Sequence, residues 1–185
     1  FCYVASNAME GSSTSNKANF LATQVWPSSR TASNLLIKHF NPEWSFCEFG
    51  CGPGLPSITA AHLGSPCVIA TDVDDLALEL VRKAASEQSF CETLTTCKFD
   101  LTESTVAIPK ADLFLLSDVF QSDSVAIGAA KITHQILESS SSHIWVLAQS
   151  DRSQREAFLR ELVKSMIHER MMNNLNLNIL WIMIL

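Results

Sequence analysis

The stretch Glu48-Phe49-Gly50-Cys51-Gly52-Pro53-Gly54 carries an acid on an apolar run and follows it at once with glycine at every second position. Such a loop lets backbone come close to a small charged ligand where any Cβ would stand in the way. It also constrains what flanks it. The run Ser45 to Phe49 reads as a strand, and Pro56 sits where the first turn of a helix tolerates proline. Ile58, Ala61 and Leu63 continue that helix to a stop at Gly64.

The same alternation repeats along the chain. Cys67-Val68-Ile69-Ala70 forms a second strand closed by Asp72, and a helix from Asp75 is expected to bury Leu76, Leu80 and Ala84 at i, i+4 and i+8. A third strand is expected over Thr96 to Leu101. Leu113-Phe114-Leu115-Leu116, apolar on both faces, reads as a fourth strand in the middle of a parallel sheet, with Asp118 at its carboxyl end. The helix Val125 to Leu137 presents Ala126, Ala129, Ala130, Thr133 and Leu137; Ile144 to Ala148 gives a fifth strand. Arg155 to Val163 then forms a helix with Phe158, Leu159 and Leu162 inward. Upstream, Val25-Trp26-Pro27-Ser28-Ser29 leads into a helix that Ser28 or Ser29 can cap, with Leu35, Leu36 and Phe40 as its apolar stripe. Strands alternating with helices define an open, doubly wound, mainly parallel α/β sheet. Ligands of such sheets sit over the carboxyl ends of the strands, the edge to which Glu48, Gly50, Gly52, Asp72, Asp100 and Asp118 all map.

The spacing bears on which ligand. A dinucleotide fingerprint requires a third glycine at position 55, which is Leu55. S-adenosylmethionine fits better, because its methionine end presents an ammonium as well as a carboxylate and so suits an acid at the strand end. Asp72 follows the loop at about the ~20-residue interval at which a second-strand acid hydrogen-bonds a ribose diol.

With 185 residues and 47% hydrophobic content, the chain has enough material for one domain with a core. Thirteen basic against nineteen acidic residues give a net charge of -6 without a Lys/Arg run, so the footprint of a nucleic-acid binder is missing. Cys2, Cys47, Cys51, Cys67, Cys91 and Cys97 contain no C-x-x-C pair and read as reduced, buried small hydrophobes. His39, His62, His134, His143 and His168 show no ligand spacing, so no metal site is expected. No run reaches the ~20 apolar residues that span a bilayer, and no secretory signal opens the chain, so a cytoplasmic protein is expected. Residues 1–20 read as a mobile leader, 21–165 as the ligand-binding domain and 166–185 as an atypical tail ending in the apolar run Ile179 to Leu185.

On these residues the chain resembles the class I, seven-β-strand methyltransferases, and more narrowly the lysine-methyltransferase-like group called methyltransferase family 16. The resemblance covers roughly residues 23 to 165. It rests on Val25-Trp26-Pro27, on Glu48-x-Gly50-x-Gly52-x-Gly54-Leu55-Pro56, on Ala70-Thr71-Asp72, on Ser117-Asp118-Val119-Phe120, and on Ser150-Asp151-Arg152 before Phe158. It implies S-adenosylmethionine as cofactor, with Trp26 beside it, Gly50 and Gly52 at its methionine portion and Asp72 on the ribose hydroxyls; Glu48 and Gly54 are expected in the same cofactor site. Asp100 or Leu101 would border the adenine. Ser117 and Asp118 would line the place where the methyl group leaves, with Asp118 orienting an acceptor amine and Phe120 offering a ring face to its cation. The family turn reads Asp-x-x-Tyr where this chain has Gln121, and the family's closing β-hairpin has no convincing copy here.

Protein-lysine methylation is the leading expectation. A small-molecule N-methyltransferase is the alternative within the same chemistry, and a truncated, non-catalytic remnant acting through binding is the alternative outside it. A nicotinamide oxidoreductase is opposed by Leu55.

Overall fold

Side-chain alternation along β1 (Phe46–Phe49) divides the core between the two faces of one sheet. Phe46 points into a cluster with helices α1 (Pro27–His39), α2 (Leu55–His62) and α3 (Asp75–Glu87). Cys47 and Phe49 point into the opposite cluster, with α4 (Asp123–Ser139) and α5 (Gln154–Asn173). Strand β4 (Leu113–Ser117) repeats the division, with Leu113 and Leu115 on one side and Phe114 and Leu116 on the other. A strand apolar on both faces can only sit inside a sheet covered on both faces, and β4 is buried along its whole length.

The computed structural model describes residues 23–103, 107–139, 142–149 and 151–173, the last six of these as helical backbone only. The expected leader, Ser150 and the apolar run to Leu185 lie outside the described residues. With strands β2 (Val68–Asp72), β3 (Leu94–Lys98) and β5 (His143–Leu147), the described residues form a five-stranded sheet ordered β3-β2-β1-β4-β5. Every neighbouring pair is parallel, with Phe46 opposite both Val68 and Leu113. The order reverses between β1 and β4, the place where such sheets open a crevice at their carboxyl edge.

Several expected details shift. Helix α1 starts at Pro27 with Trp26 as its N-cap and no side-chain cap, so Ser28 and Ser29 lie buried in the first turn instead of capping it. Helix α3 buries Ala77, Leu78, Val81 and Ala85, one position round from the expected stripe of Leu76, Leu80 and Ala84. Asp74 caps this helix by accepting the N–H of Leu76 at 2.8 Å, and Leu76 itself is only partly buried. Strand β3 ends at Lys98, so Phe99 to Leu101 form the loop beyond it. Helix α5 runs ten residues past the expected end at Val163, to Asn173, so the first part of the expected tail continues a helix. Cys47 and Cys51 are buried as expected, whereas Cys67, Cys91 and Cys97 are exposed, at strand and loop positions that face solvent. No helix among the described residues is long and apolar enough to cross a membrane.

Candidate cofactor site

The carboxyl edge of the sheet encloses a cavity of about 180 Å³. Its floor is the loop after β1, where Gly50, Gly52 and Gly54 all have positive φ, at +65°, +51° and +74°. At Gly50 the requirement for glycine is twofold, since a Cβ would also lie 2.7 Å from Val119 Cγ1. Gly54 has a different task. Its missing Cβ makes room for Val81 on α3, and Gly54 does not line the cavity.

Asp72 lines the cavity at the tip of β2 and holds the loop in place. Its Oδ2 accepts the Gly52 N–H at 2.9 Å, and its Oδ1 accepts the Asp74 N–H at 2.9 Å. Burial pushes this carboxyl above its usual range, and the two backbone donors oppose that shift. Each carboxylate oxygen retains a lone pair after one such bond, so the group keeps the capacity to accept hydroxyl donors.

Glu48 is not part of the cavity wall. On β1 it shares the α2 face with Phe46, and it lies buried beneath the loop, where Oε2 accepts the Ser57 N–H at 3.0 Å and the Ser57 hydroxyl at 2.5 Å. Burial raises its pKa to about 8, against the lowering effect of those two bonds. The acid expected to face the methionine ammonium therefore anchors the first turn of α2.

Phe120 is also displaced from its expected role. It is 1% exposed and packs on Phe158, ring centroids 5.0 Å apart, beneath the turn that follows β4. Its face meets the core, and it does not line the cavity.

The remaining expected residues do converge on the cavity. Trp26 and Ser29 reach it from the start of α1, and Asp100 and Leu101 from the loop after β3. Asp100 Oδ1 holds its own loop through the Thr102 N–H at 2.8 Å and hydroxyl at 2.7 Å. Leu101 is fixed from behind, because Gly128 lets α4 lie against its carbonyl with no side chain between. Ser117 and Asp118 close the far side, at the end of β4. The Ser117 hydroxyl is buried without a hydrogen-bond partner among the described residues, and Asp118 adopts φ +55°.

Sequence reasoning gave no role to Arg152, yet it lines the cavity and grips Asp118 with two bonds, Nε to Oδ1 at 3.0 Å and Nη2 to Oδ2 at 2.8 Å. Ser117 pairs with Leu147 in the ladder, so the parallel register of β4 and β5 brings the two loop ends together. An acid at one of two adjacent strand ends and an arginine just past the other was the available signal. Val73, Asp74, Phe99, Gln121 and Val125 also line it. Among the described residues, no group of three or more His, Cys, Asp or Glu side chains is placed to hold a metal ion.

The sheet order, the helices on both faces and the cavity at the switch point define the Rossmann-like fold of the S-adenosylmethionine-dependent methyltransferases. Residues 31–115 match the family model described as ribosomal protein L11 methyltransferase (PrmA). Among solved structures, the TehB-like SAM-dependent methyltransferase from Corynebacterium glutamicum superposes with a TM-score of 0.58 at 16% identity, over 82% of this chain and 79% of that one. TrmN from Thermus thermophilus gives 0.59 at 16% identity, over 79% of this chain and 45% of that one. The [4+2]-cyclase SpnF gives 0.53 at 12% identity, over 74% and 57%. The chain spans about half the length of some of these relatives, 50% in the case of the MccD protein. No curated protein matches in a sequence comparison. Both the family model over residues 31–115 and the TehB-like structure are of methyltransferases.

Proposed function

We propose that this chain binds S-adenosylmethionine in the carboxyl-edge cavity and methylates the side-chain amine of a protein lysine. The observation that carries the reading is that Asp72 and the Ser117-Asp118 turn line one cavity from opposite sides of the strand-order reversal. The residues fit the cofactor. Asp72 has acceptor capacity for ribose hydroxyls, and Gly50 and Gly52 offer close backbone approach. Trp26 would flank the cofactor, with Asp100, Leu101 and Val73 on the adenine side and Ser117 and Asp118 on the methyl side.

When bound, the cofactor supplies a methyl group already activated on a sulfonium. The chain's own contribution is alignment and exclusion of water. Asp118, 4% exposed, is the group placed to orient an amine. Glu48 acts one layer back, by fixing Ser57 and with it the helix that follows the glycine loop.

A protein acceptor is supported by the family model over residues 31–115, whose description names a ribosomal protein as substrate of that family. The charge of -6 suits a basic acceptor over a nucleic acid. Five free cysteines among the described residues suit a reducing, cytoplasmic location. One observation favours the small-molecule alternative: Gln121, instead of an aromatic ring, lines the acceptor end.

Labelled donor separates the two readings. Incubation with tritiated S-adenosylmethionine and a protein extract should place label in the protein fraction, in methylated lysine after hydrolysis. Label confined to the small-molecule fraction would favour the alternative, and no transfer from a donor that binds would leave a binding protein.

A further inference from the structure

The Ser117-Asp118 turn carries a feature that cofactor binding does not account for. Asp118 has a nearly buried side chain, and both of its oxygens are taken by one guanidinium. Arg152 is 37% exposed and lines both the cavity and a shallow groove outside it, beside Asp151, Ser153, Arg155, Glu156 and Leu159. Its guanidinium thus stands between a buried carboxylate and solvent. Beside it, Ser117 lines the same cavity, and its buried hydroxyl has no partner among the described residues. The backbone of the turn is fixed independently: the Asp118 N–H donates to the Leu147 carbonyl at 2.8 Å, and the positive φ is one that aspartate tolerates better than bulkier residues do. Of these three side chains, Arg152 is the one open to solvent.

We propose that Arg152 stands in the subsite of a cationic acceptor group, and that an alkylammonium or guanidinium displaces it to pair with Asp118. The inference rests on reading the cavity as a methyl-donor site and deepens it by giving the acceptor's charge. A buried carboxylate left without a cation is strongly disfavoured, so Asp118 must be paired both before and after the acceptor arrives. Exchange of one cation for another preserves that pairing. A neutral or anionic acceptor cannot take over from Arg152, so the contact selects by charge. The three N–H donors of an ammonium match the two Asp118 oxygens and the waiting Ser117 hydroxyl. Arg152, half in solvent, can swing toward the outer groove, where Asp151 and Glu156 supply carboxylates.

The test uses n-butylammonium, n-butylguanidinium and butyrate as probes, added to the whole chain saturated with S-adenosylhomocysteine. In the unmutated protein, both cations should move the Arg152 Nε–H resonance in a ¹⁵N correlation spectrum, and butyrate should not. Arg152→Ala should bind n-butylammonium roughly tenfold more tightly than the parent, since the competitor is gone, and adding Asp118→Asn should abolish that gain. If circular dichroism shows Arg152→Ala unfolded, Arg152→Gln carries the same comparison. An Arg152 resonance unmoved by the cations overturns the proposal. Preference for butyrate, no gain in the arginine variants, or a gain that survives Asp118→Asn does the same. The same samples are titrated with S-adenosylhomocysteine by calorimetry. Cofactor binding without a cation response refutes only this inference, whereas absence of cofactor binding refutes the methyl-donor reading beneath it.

Discussion

The backbone N–H of Gly52 donates to Oδ2 of Asp72 at 2.9 Å, joining two positions twenty residues apart and tying the glycine loop to the tip of the neighbouring strand. Asp72 therefore has two tasks, shaping the loop and accepting from a ligand. Asp72→Asn keeps one acceptor oxygen but loses the charge. Asp72→Ala loses both. Charge-assisted bonds are worth about 1.5–3 kcal/mol each, so calorimetric affinity for S-adenosylhomocysteine should fall by roughly ten- to a hundredfold in Asp72→Asn and below detection in Asp72→Ala.

Gly50→Ala probes the loop from the other side. The substitution forces a Cβ onto a residue at φ +65° and toward Val119. A strained backbone of this kind costs about 1–3 kcal/mol. Urea denaturation should show a loss of that size, and a fall of less than 0.5 kcal/mol, within the ordinary scatter of surface changes of about ±0.5 kcal/mol, would mean that the loop relaxes freely.

Glu48 gives the fold a pH dependence with a definite sign. Its folded pKa of about 8 lies above its ordinary 4.5, so between those values the native state holds a proton that the unfolded chain releases. Stability is then highest below about pH 4.5 as far as this group is concerned, falls as pH rises and levels off above about pH 8. At about 1.4 kcal/mol per unit, the loss is a few kcal/mol. The raised Asp72 carboxyl adds in the same direction. Glu48→Gln should flatten most of this slope in chemical denaturation followed from pH 5 to 8, while leaving cofactor affinity within about threefold, a difference smaller than one hydrogen bond. An unchanged slope would contradict the buried, protonated state.

Phe120→Ala distinguishes packing from catalysis. A buried phenylalanine packed on Phe158 should cost about 3–5 kcal/mol of stability when truncated. Phe120→Leu, which keeps most of the volume but no ring, should retain methyl transfer at near the parent rate. A specific loss of transfer in a stable Phe120→Leu protein would restore the ring to the acceptor site.

These outcomes follow the line between what the sequence disclosed and what it hid. The alternation of strands and helices and the interior place of the fourth strand were legible because glycine spacing, Asp72 and the apolar run Leu113 to Leu116 are local signals with one physical meaning each. The direction of a single side chain was not. Glu48 and Asp72 both stand at strand ends, but Glu48 sits on the α2 face of its strand, where Ser57 captures it, and only the three-dimensional packing reveals this. Phe120 was ambiguous for the same reason, since a ring after a strand can face ligand or core. Arg152 was hidden by distance, thirty-four residues from the acid it binds. The rotation of α3 was concealed because Leu76, Leu80 and Ala84 and the buried Ala77, Val81 and Ala85 repeat at the same helical spacing one residue apart.

The central claim is that the cavity between Asp72 and Ser117 receives an adenosyl sulfonium, and calorimetry on the whole chain tests it most directly. The account predicts saturable binding of one S-adenosylmethionine per chain, competed by S-adenosylhomocysteine and not by a nicotinamide dinucleotide. No heat with S-adenosylmethionine, or a preference for the dinucleotide, would contradict it.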